Sequence, residues 1–181
     1  DVLGSRGLGD VYKRQDLLDT MYAQNGVGLA APQIGENYRV FVIDVSTGNE
    51  PLNPIVFINP KIIKKSGAVI SHEGCLSFPE AFTDVRRYSD VMVKAMDRNG
   101  RSFVLEAKDG SLLARAIQHE FDHLDGILFI DHVINRFEAE EVLKKFNLPP
   151  IQIEKLLDEP ELEAKIEELL KQKVKSEEKN D

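Results

Sequence analysis

Two histidines four residues apart, with a glutamate beside the first, are the residues whose spacing most clearly predicts chemistry. They lie in the pentapeptide His119-Glu120-Phe121-Asp122-His123. In a helix, side chains at positions i and i+4 share one face, so both imidazoles can bind one metal ion. Glu120 lies close enough to exchange a proton with a water molecule on that ion. The pattern predicts metal-assisted hydrolysis and leaves the third protein ligand open.

A third ligand could come from three parts of the chain. The metzincin spacing requires a histidine where this chain has Phe129, and His132 comes three residues too late. In thermolysin-like enzymes a glutamate from a later helix serves, which makes Glu140 and Glu141 candidates, although their charged surroundings favour a solvated helix face. The remaining candidate is Cys75, the only cysteine. A thiolate with two imidazoles is a sound ligand set for a first-row transition metal.

The order of predicted elements favours an α+β fold. Strands are predicted at 38–45, 55–58, 61–65, 68–72, 85–96 and 101–107, and Cys75 follows the fourth of them. The histidine helix comes after these strands, with an apolar face between Leu112 and Ile117 and an N-cap at Asp109 or Ser111. We therefore predict antiparallel or mixed β-sheets packed around a central metal-binding helix, with a C-terminal helical tail.

The two ends of the chain differ from its middle. Residues 1–15 are glycine-rich without clear periodicity, and we interpret them as an irregular segment that is a candidate for a non-native addition. Residues 16–147 form the predicted catalytic domain, which opens with a short helix at 16–24. Residues 148–181 form a charged extension whose helix, at 161–175, has a sparse apolar stripe that begins at Leu162 and Ile166.

Composition excludes several classes of protein. The chain has 181 residues, 42% of them hydrophobic and 30% charged, as expected for a globular domain. Its net charge of -8 argues against broad nucleic-acid binding through a basic surface. No apolar run approaches the roughly 18 residues of a membrane span, and no signal peptide is recognised at the N-terminus. A single cysteine allows no intrachain disulfide, so we expect a reducing, cytoplasmic setting.

Three motifs, in this order, resemble those of the peptide deformylase family. They are Gly26-Val27-Gly28-Leu29-Ala30-Ala31-Pro32-Gln33, then Glu73-Gly74-Cys75-Leu76-Ser77, then Gln118-His119-Glu120-Phe121-Asp122-His123. The resemblance implies removal of the N-formyl group from the N-terminal formyl-methionine of newly synthesised proteins, with release of formate. It implies one divalent metal ion on Cys75, His119 and His123. Fe(II) is the expected ion, and Zn(II), Ni(II) and Co(II) also suit these ligands.

The resemblance also implies roles for other residues. Glu120 would carry protons, while the side-chain amide of Gln33 and the backbone N–H of Leu76 would stabilise the oxyanion. Glu73 and Arg87 would form an ion pair that fixes the cysteine loop. For Asp122, apart from the resemblance, we favour a role in orienting a histidine over a position in the solvent. The substrate would contact five residues, with the methionine side chain between the last three: Gly28, Gly74, Val27, Leu112 and Ala116.

Two other functions are weighed against deformylation. One is a zincin-type metallopeptidase with Glu140 or Glu141 as the third ligand, and the other is a non-catalytic metal-binding module. The expected partners are N-formyl-methionyl nascent polypeptides, with no membrane and no sequence-specific nucleic acid. Ribosome contact through the C-terminal helix is left open, because Lys171, Lys173 and Lys175 follow the acidic residues Glu167 and Glu168.

Overall fold

A five-stranded antiparallel sheet and a two-stranded antiparallel hairpin enclose the histidine helix. The computed structural model describes residues 9–46, 48, 50–149 and 160–177. Within these residues the strands are β1 (Gly28–Ala30), β2 (Val40–Ile43), β3 (Ile55–Ser66), β4 (Val69–Cys75), β5 (Phe78–Arg87), β6 (Asp90–Met96) and β7 (Ser102–Ala107). The helices are α1 (Gly9–Ala23), α2 (Leu112–Leu124), α3 (Arg136–Lys145) and α4 (Pro160–Glu177), with 3-10 turns at Ala31–Ile34 and Phe129–His132. The predicted α+β class is confirmed.

The larger sheet has the order β1-β2-β3-β6-β7, and β4 pairs with β5 in the smaller one. Helix α2 packs across β1 and β2, and its Ile117 lies in a core with Phe41 and Phe57. The rings of Phe41 and Phe57 stack with their centroids 4.6 Å apart. The aromatic core thus gives α2 a rigid support on the side away from the hairpin.

Helix α2 begins at a side-chain cap. The hydroxyl of Ser111 accepts the backbone N–H of Ala114 at 3.3 Å, which selects Ser111 from the two predicted caps. Gly110 precedes the cap with φ of +60°, a conformation that glycine adopts without strain. The helix ends at Leu124, and Gly126 follows with φ of +73°. The beginning and end of the metal-binding helix agree with the sequence prediction.

The single strand predicted over residues 85–96 is wrong. The chain leaves one sheet at Arg87 and enters the other at Asp90. At the break, the Gln118 side chain accepts the backbone N–H of Tyr88 at 3.0 Å and donates to its carbonyl at 2.9 Å. Tyr88 therefore satisfies both backbone groups outside any strand ladder, through a residue 30 positions away. A local sequence pattern carries no sign of such a contact.

A second correction concerns the strands predicted at 55–58 and 61–65, which form one continuous β3. The intervening Asn59 has φ of +49°, and the pairing of β3 with β6 shifts register between Ile58 and Lys61. Pro60 donates no backbone hydrogen bond, so this bulge accommodates it inside a central strand. The bulge explains why the sequence pattern breaks here while the strand continues.

Helix α1 begins at Gly9, seven positions before the predicted start at Asp16. Leu17 and Met21 are fully buried against β1 and β2, so their packing anchors the helix. Residues 1–8 of the predicted irregular segment lie outside the described residues, and its non-native origin stays a prediction. The division of the chain at 15/16 and 147/148 also stays a prediction.

The C-terminal helix was predicted correctly, and part of its apolar stripe enters the core. Leu162 and Ile166 are buried in the cluster that contains Ile117. On the same helix, Glu163 accepts a hydrogen bond from Arg86 of β5 at 2.9 Å. One face of α4 is therefore packed on the domain. None of the described helices is long and apolar enough to cross a membrane.

Candidate metal centre

Cys75, His119 and His123 converge on one point. One potential ligand atom from each of them lies within 4.8 Å of the other two. The Sγ atom of Cys75 is 3.3 Å from Nε2 of His123. Helix α2 presents both imidazoles because they are one helical turn apart, and Cys75 meets them from the last position of β4. The structure therefore brings the three predicted ligands together.

The other candidate ligands lie elsewhere. Glu140 and Glu141 are exposed on α3, as expected for a solvated face. Phe129 is buried, and its ring stacks on that of His119 with centroids 6.1 Å apart. None of these side chains, nor His132, belongs to the metal-binding group found among the described residues.

His119 is oriented by a buried carboxylate. Its Nδ1 lies 3.1 Å from Oε2 of Glu73. Burial alone would raise the pKa of Glu73, but the charge of Arg87 and the hydrogen bond with His119 outweigh it and lower that pKa to about 2. Because Glu73 is ionised, Nδ1 of His119 must donate, so Nε2 is the nitrogen available to a metal ion. Burial would lower the pKa of His119, but hydrogen bonds with Cys75 and Glu73 outweigh it and raise that pKa to about 10, so Nε2 loses its proton when the ion binds.

Arg87 ties this carboxylate to a second one. Its Nη2 donates to Oε2 of Glu73 at 2.9 Å, and its Nη1 donates to Asp122. Asp122 also accepts a hydrogen bond from Nε2 of His132 at 2.9 Å. The predicted pair of Glu73 and Arg87 is thus present, and Asp122 orients a histidine that is not a metal ligand. This role of His132 was not predicted from the sequence, where His132 was considered only as a metal ligand.

The surroundings of Cys75 favour the ionised form of its thiol. Burial would raise its pKa, but hydrogen bonds with His119 and His123 outweigh burial and lower the pKa to about 5. Nε2 of Gln33 also lies 3.6 Å from the sulfur. At neutral pH the group is therefore a thiolate, the form that binds metals.

Glu120 is buried next to the metal-binding residues with an incomplete set of hydrogen bonds. Its Oε2 has no partner among the described side chains and backbone groups. Burial raises the pKa of Glu120 to about 7, although the neighbouring His119 and His123 act in the opposite direction. A carboxyl group with this pKa can accept and release a proton near neutral pH.

Gly28 provides the space that this carboxylate occupies. A Cβ atom on Gly28 would lie 2.5 Å from Oε1 of Glu120 and 2.9 Å from its Cγ. Gly28 was predicted as a residue that contacts substrate, and its steric relation to Glu120 was missed. The first motif and the third motif are therefore in direct contact, which their distance in the sequence does not reveal.

A cavity of about 500 Å³ opens beside these groups. Val27 and Leu112 are partly exposed at its walls, with 42% and 38% of their surface accessible, and Ala116 is buried. Gly74 allows the ring of Phe82 to lie across it, because a Cβ there would approach that ring to 2.5 Å. All predicted site residues except His123 line this cavity: Val27, Gly28, Gln33, Gly74, Cys75, Leu76, Leu112, Ala116, His119 and Glu120.

These residues fit a divalent transition-metal ion. A thiolate and two imidazoles converge, one imidazole is held by a carboxylate through its other nitrogen, and the cavity leaves one side of the group open. Three protein ligands with an open fourth position are typical of catalytic rather than structural sites. The nearby unpartnered carboxylate of Glu120 supports a hydrolytic reaction.

Comparisons with known proteins agree with this chemistry. Residues 12–139 match the family model described as polypeptide deformylase. The chain is 52% identical over 118 residues to peptide deformylase 1 of Clostridium perfringens, covering 65% of this chain and 77% of that protein. It is 48% identical over 139 residues to the peptide deformylase of Thermodesulfovibrio yellowstonii, covering 76% and 82%.

Solved structures show the same similarity. The crystal structure of a peptide deformylase from Synechococcus elongatus in complex with actinonin matches with a TM-score of 0.68 and 46% identity, covering 75% of each chain. A peptide deformylase from Legionella pneumophila matches with a TM-score of 0.70 and 39% identity, covering 80% of this chain and 84% of that one.

Proposed function

The chain belongs to the peptide deformylase family and removes the N-formyl group from nascent peptides, and we propose that Glu120 carries the proton transfers of this reaction. Three features support that role. Glu120 lies in the cavity beside His119, its Oε2 has no partner among the described groups, and its pKa is raised to about 7 by burial. The carboxylate takes a proton from the attacking water and later delivers one to the leaving amine.

Cys75, His119 and His123 hold one divalent ion in this proposal. When bound, the ion lowers the pKa of a coordinated water and polarises the formyl carbonyl. Fe(II) is our proposed ion, as the family resemblance implies, and the same thiolate–imidazole set accommodates Zn(II), Ni(II) or Co(II). Glu73 keeps the Nδ1 proton of His119 in place, so that the imidazole presents its Nε2 in a fixed orientation.

Gln33 and Leu76 stabilise the oxyanion that forms as the formyl carbon is attacked. The backbone N–H of Ala30 donates to Oε1 of Gln33 at 2.8 Å. This hydrogen bond orients the side-chain amide so that its NH₂ group faces Cys75. Nε2 of Gln33 then lies near Cys75 and 3.1 Å from Oγ of Ser77. Leu76 follows Cys75 in the turn between β4 and β5, where its N–H serves as a second donor.

The methionine side chain of the substrate occupies the cavity between Val27, Leu112 and Ala116. These residues supply an apolar wall, and Gly28 and Gly74, the two other residues proposed to contact the substrate, line the same cavity. The substrates are N-formyl-methionyl nascent polypeptides, which places the protein where translation occurs, in the cytoplasm. Ribosome contact through α4 stays a prediction, and only the face of α4 away from Leu162 and Ile166 is available for it.

Replacing Gly28 by alanine should displace Glu120 and reduce kcat about a hundredfold, because misplacing a catalytic group by about 1 Å costs on that order. The ion should remain bound, since Gly28 contributes no ligand. Steady-state kinetics and metal analysis measure both effects. Gly26→Ala is the matched control, because its Cβ would clash with the flexible end of the Leu76 side chain, at 2.7 Å, and would lie 3.4 Å from the Gly28 carbonyl oxygen, an ordinary contact. An equal loss in both variants would contradict the steric role of Gly28.

Formate release tests the proposed function directly. We expect the anaerobically purified protein to contain one metal ion per chain, mostly iron, and to release formate from a formyl-methionyl tripeptide. An unformylated protein should remain uncleaved, because the proposed reaction acts on a terminal formyl group. Formate detection, metal analysis and electrophoresis of the protein substrate are the measurements. Cleavage of the protein without formate release would support the metallopeptidase instead.

A further inference from the structure

Strand β4 and helix α2 are joined by two polar contacts in step with each other. Ser71, Glu73 and Cys75 alternate along β4 and are all buried, so they face the same side. Arg115 and His119 are four residues apart on α2 and share a face. Four helical residues rise about 6 Å and two strand residues about 6.7 Å, so both pairs can meet at once.

The first contact joins Arg115 to Ser71, and the second joins His119 to Glu73. Nη1 of Arg115 donates to Oγ of Ser71 at 2.7 Å. A guanidinium has no acceptor, so the serine hydroxyl must direct its own proton elsewhere, and Oε1 of Glu73 lies 3.2 Å away. The other oxygen of Glu73 accepts from Nδ1 of His119 at 3.1 Å. Three hydrogen bonds thus connect Arg115 to a metal ligand, and they meet at Glu73, which accepts from Ser71 on one side and from His119 on the other.

Arg115 stands at one end of this path and at the wall of the cavity. Its side chain is partly buried, and its Nε is buried without a hydrogen-bond partner among the described residues. Burying such a donor costs free energy, which an apolar side chain at this position would avoid. Packing alone therefore does not explain why position 115 holds an arginine. The hydrogen bond that the guanidinium of Arg115 donates to the buried Ser71 does explain it.

We propose that Arg115 is a positioning residue for deformylation, which acts through Ser71 and Glu73 to fix the imidazole of His119. A substrate side chain that packs on Arg115 in the cavity restricts the motion of Arg115, Ser71 and Glu73. The metal-binding imidazole of His119 is thereby held in its reactive orientation. The proposal rests on the proposed function of the cavity. It assigns to the cavity wall an effect on the rate of the reaction, in addition to substrate affinity.

The test compares Arg115→Met, Arg115→Lys and Ser71→Ala in the protein loaded with Co(II). Arg115→Met keeps an apolar wall of similar length and removes the hydrogen bond, while Arg115→Lys keeps a donor. We expect Arg115→Met and Ser71→Ala each to lower kcat about tenfold with little change in KM, and to release Co(II) faster to a chelator, as is typical when a group that orients a ligand is lost. The visible absorption bands of Co(II) should change, and Arg115→Lys should recover part of each effect.

The double variant Arg115→Met/Ser71→Ala should be no worse than either single variant, because both remove the same path. Leu112→Ala is the matched cavity control and should raise KM with a wild-type Co(II) spectrum.

The proposal is overturned if Arg115→Met raises KM alone, with an unchanged Co(II) spectrum and an unchanged rate of Co(II) release. It is also overturned if the effects of Arg115→Met and Ser71→Ala add in the double variant. Near-ultraviolet circular dichroism verifies that each variant is folded. Failure of wild-type protein to release formate would refute the proposed function, whereas the Co(II) spectrum and release test the path independently.

Discussion

Glu120→Gln should lose hydrolytic activity by about a hundredfold to ten-thousandfold, the usual contribution of a general acid–base group. Glutamine has nearly the same shape as glutamate, so it should fit beside Gly28 without displacing α2. Metal content should stay at the wild-type value, because the ligand atoms come from Cys75, His119 and His123. Formate release under saturating substrate, together with metal analysis of the same sample, measures both expectations.

The same substitution, which lowers activity, should raise the stability of the metal-free protein against unfolding. Burial raises the pKa of Glu120 from its ordinary value of 4.5 to about 7, so the folded protein favours the protonated carboxyl. Stability from this group is therefore lost as pH rises from about 4.5 through 7. Metal-free Glu120→Gln should avoid that loss and unfold at higher denaturant concentration than metal-free wild type at pH 8. Equal stability of the two proteins at pH 8, with equal activity of the metal-loaded forms, would exclude Glu120 as the proton carrier.

The chemistry of the site was predictable because it depends on short-range geometry. The spacing of His119 and His123 determines that they share a helix face, and the cap at Ser111 determines where that helix begins. Cys75 was found by excluding the other ligands and by the order of three motifs. For the two histidines and the cap the relevant information lies within a few residues of the group concerned, whereas Cys75 required motifs from distant parts of the chain.

The contacts between these segments were less predictable. Gly28 makes room for Glu120 although 92 positions separate them, and His132 joins Asp122 across a turn. Gln118 interrupts the strand pattern at Tyr88 by binding its backbone from another element. Such contacts depend on how the sheets and α2 are packed. One signal was available in the sequence, because extending the strand predicted at 68–72 as far as Cys75 places Ser71, Glu73 and Cys75 on one face.

Cys75→Ala should abolish tight metal binding and, with it, formate release. Removing the thiolate leaves two imidazoles, which is one ligand fewer than catalytic sites of this kind use. Hydrogen bonds with His119 and His123 lower the pKa of Cys75 to about 5 against its burial, so the wild-type group is already a thiolate at neutral pH, and the proton that leaves on metal binding comes from His119. We expect less than about a tenth of the wild-type metal content after dialysis, since losing even a group that only orients a ligand typically costs about 10- to 100-fold in metal affinity. Metal analysis and a formate assay measure the two effects.

A matched control distinguishes this site from that of a metallopeptidase. Glu140→Gln/Glu141→Gln should keep all of its metal and activity, because both carboxylates are exposed on α3, outside the metal-binding group. The lone thiol gives a second measurement, since the chain has no other cysteine. In wild-type protein, a thiol reagent should modify Cys75 faster after chelation than with the ion bound. Full metal retention by Cys75→Ala, together with loss of metal from Glu140→Gln/Glu141→Gln, would contradict this prediction. It would show that the third ligand comes from α3, as in a zinc peptidase.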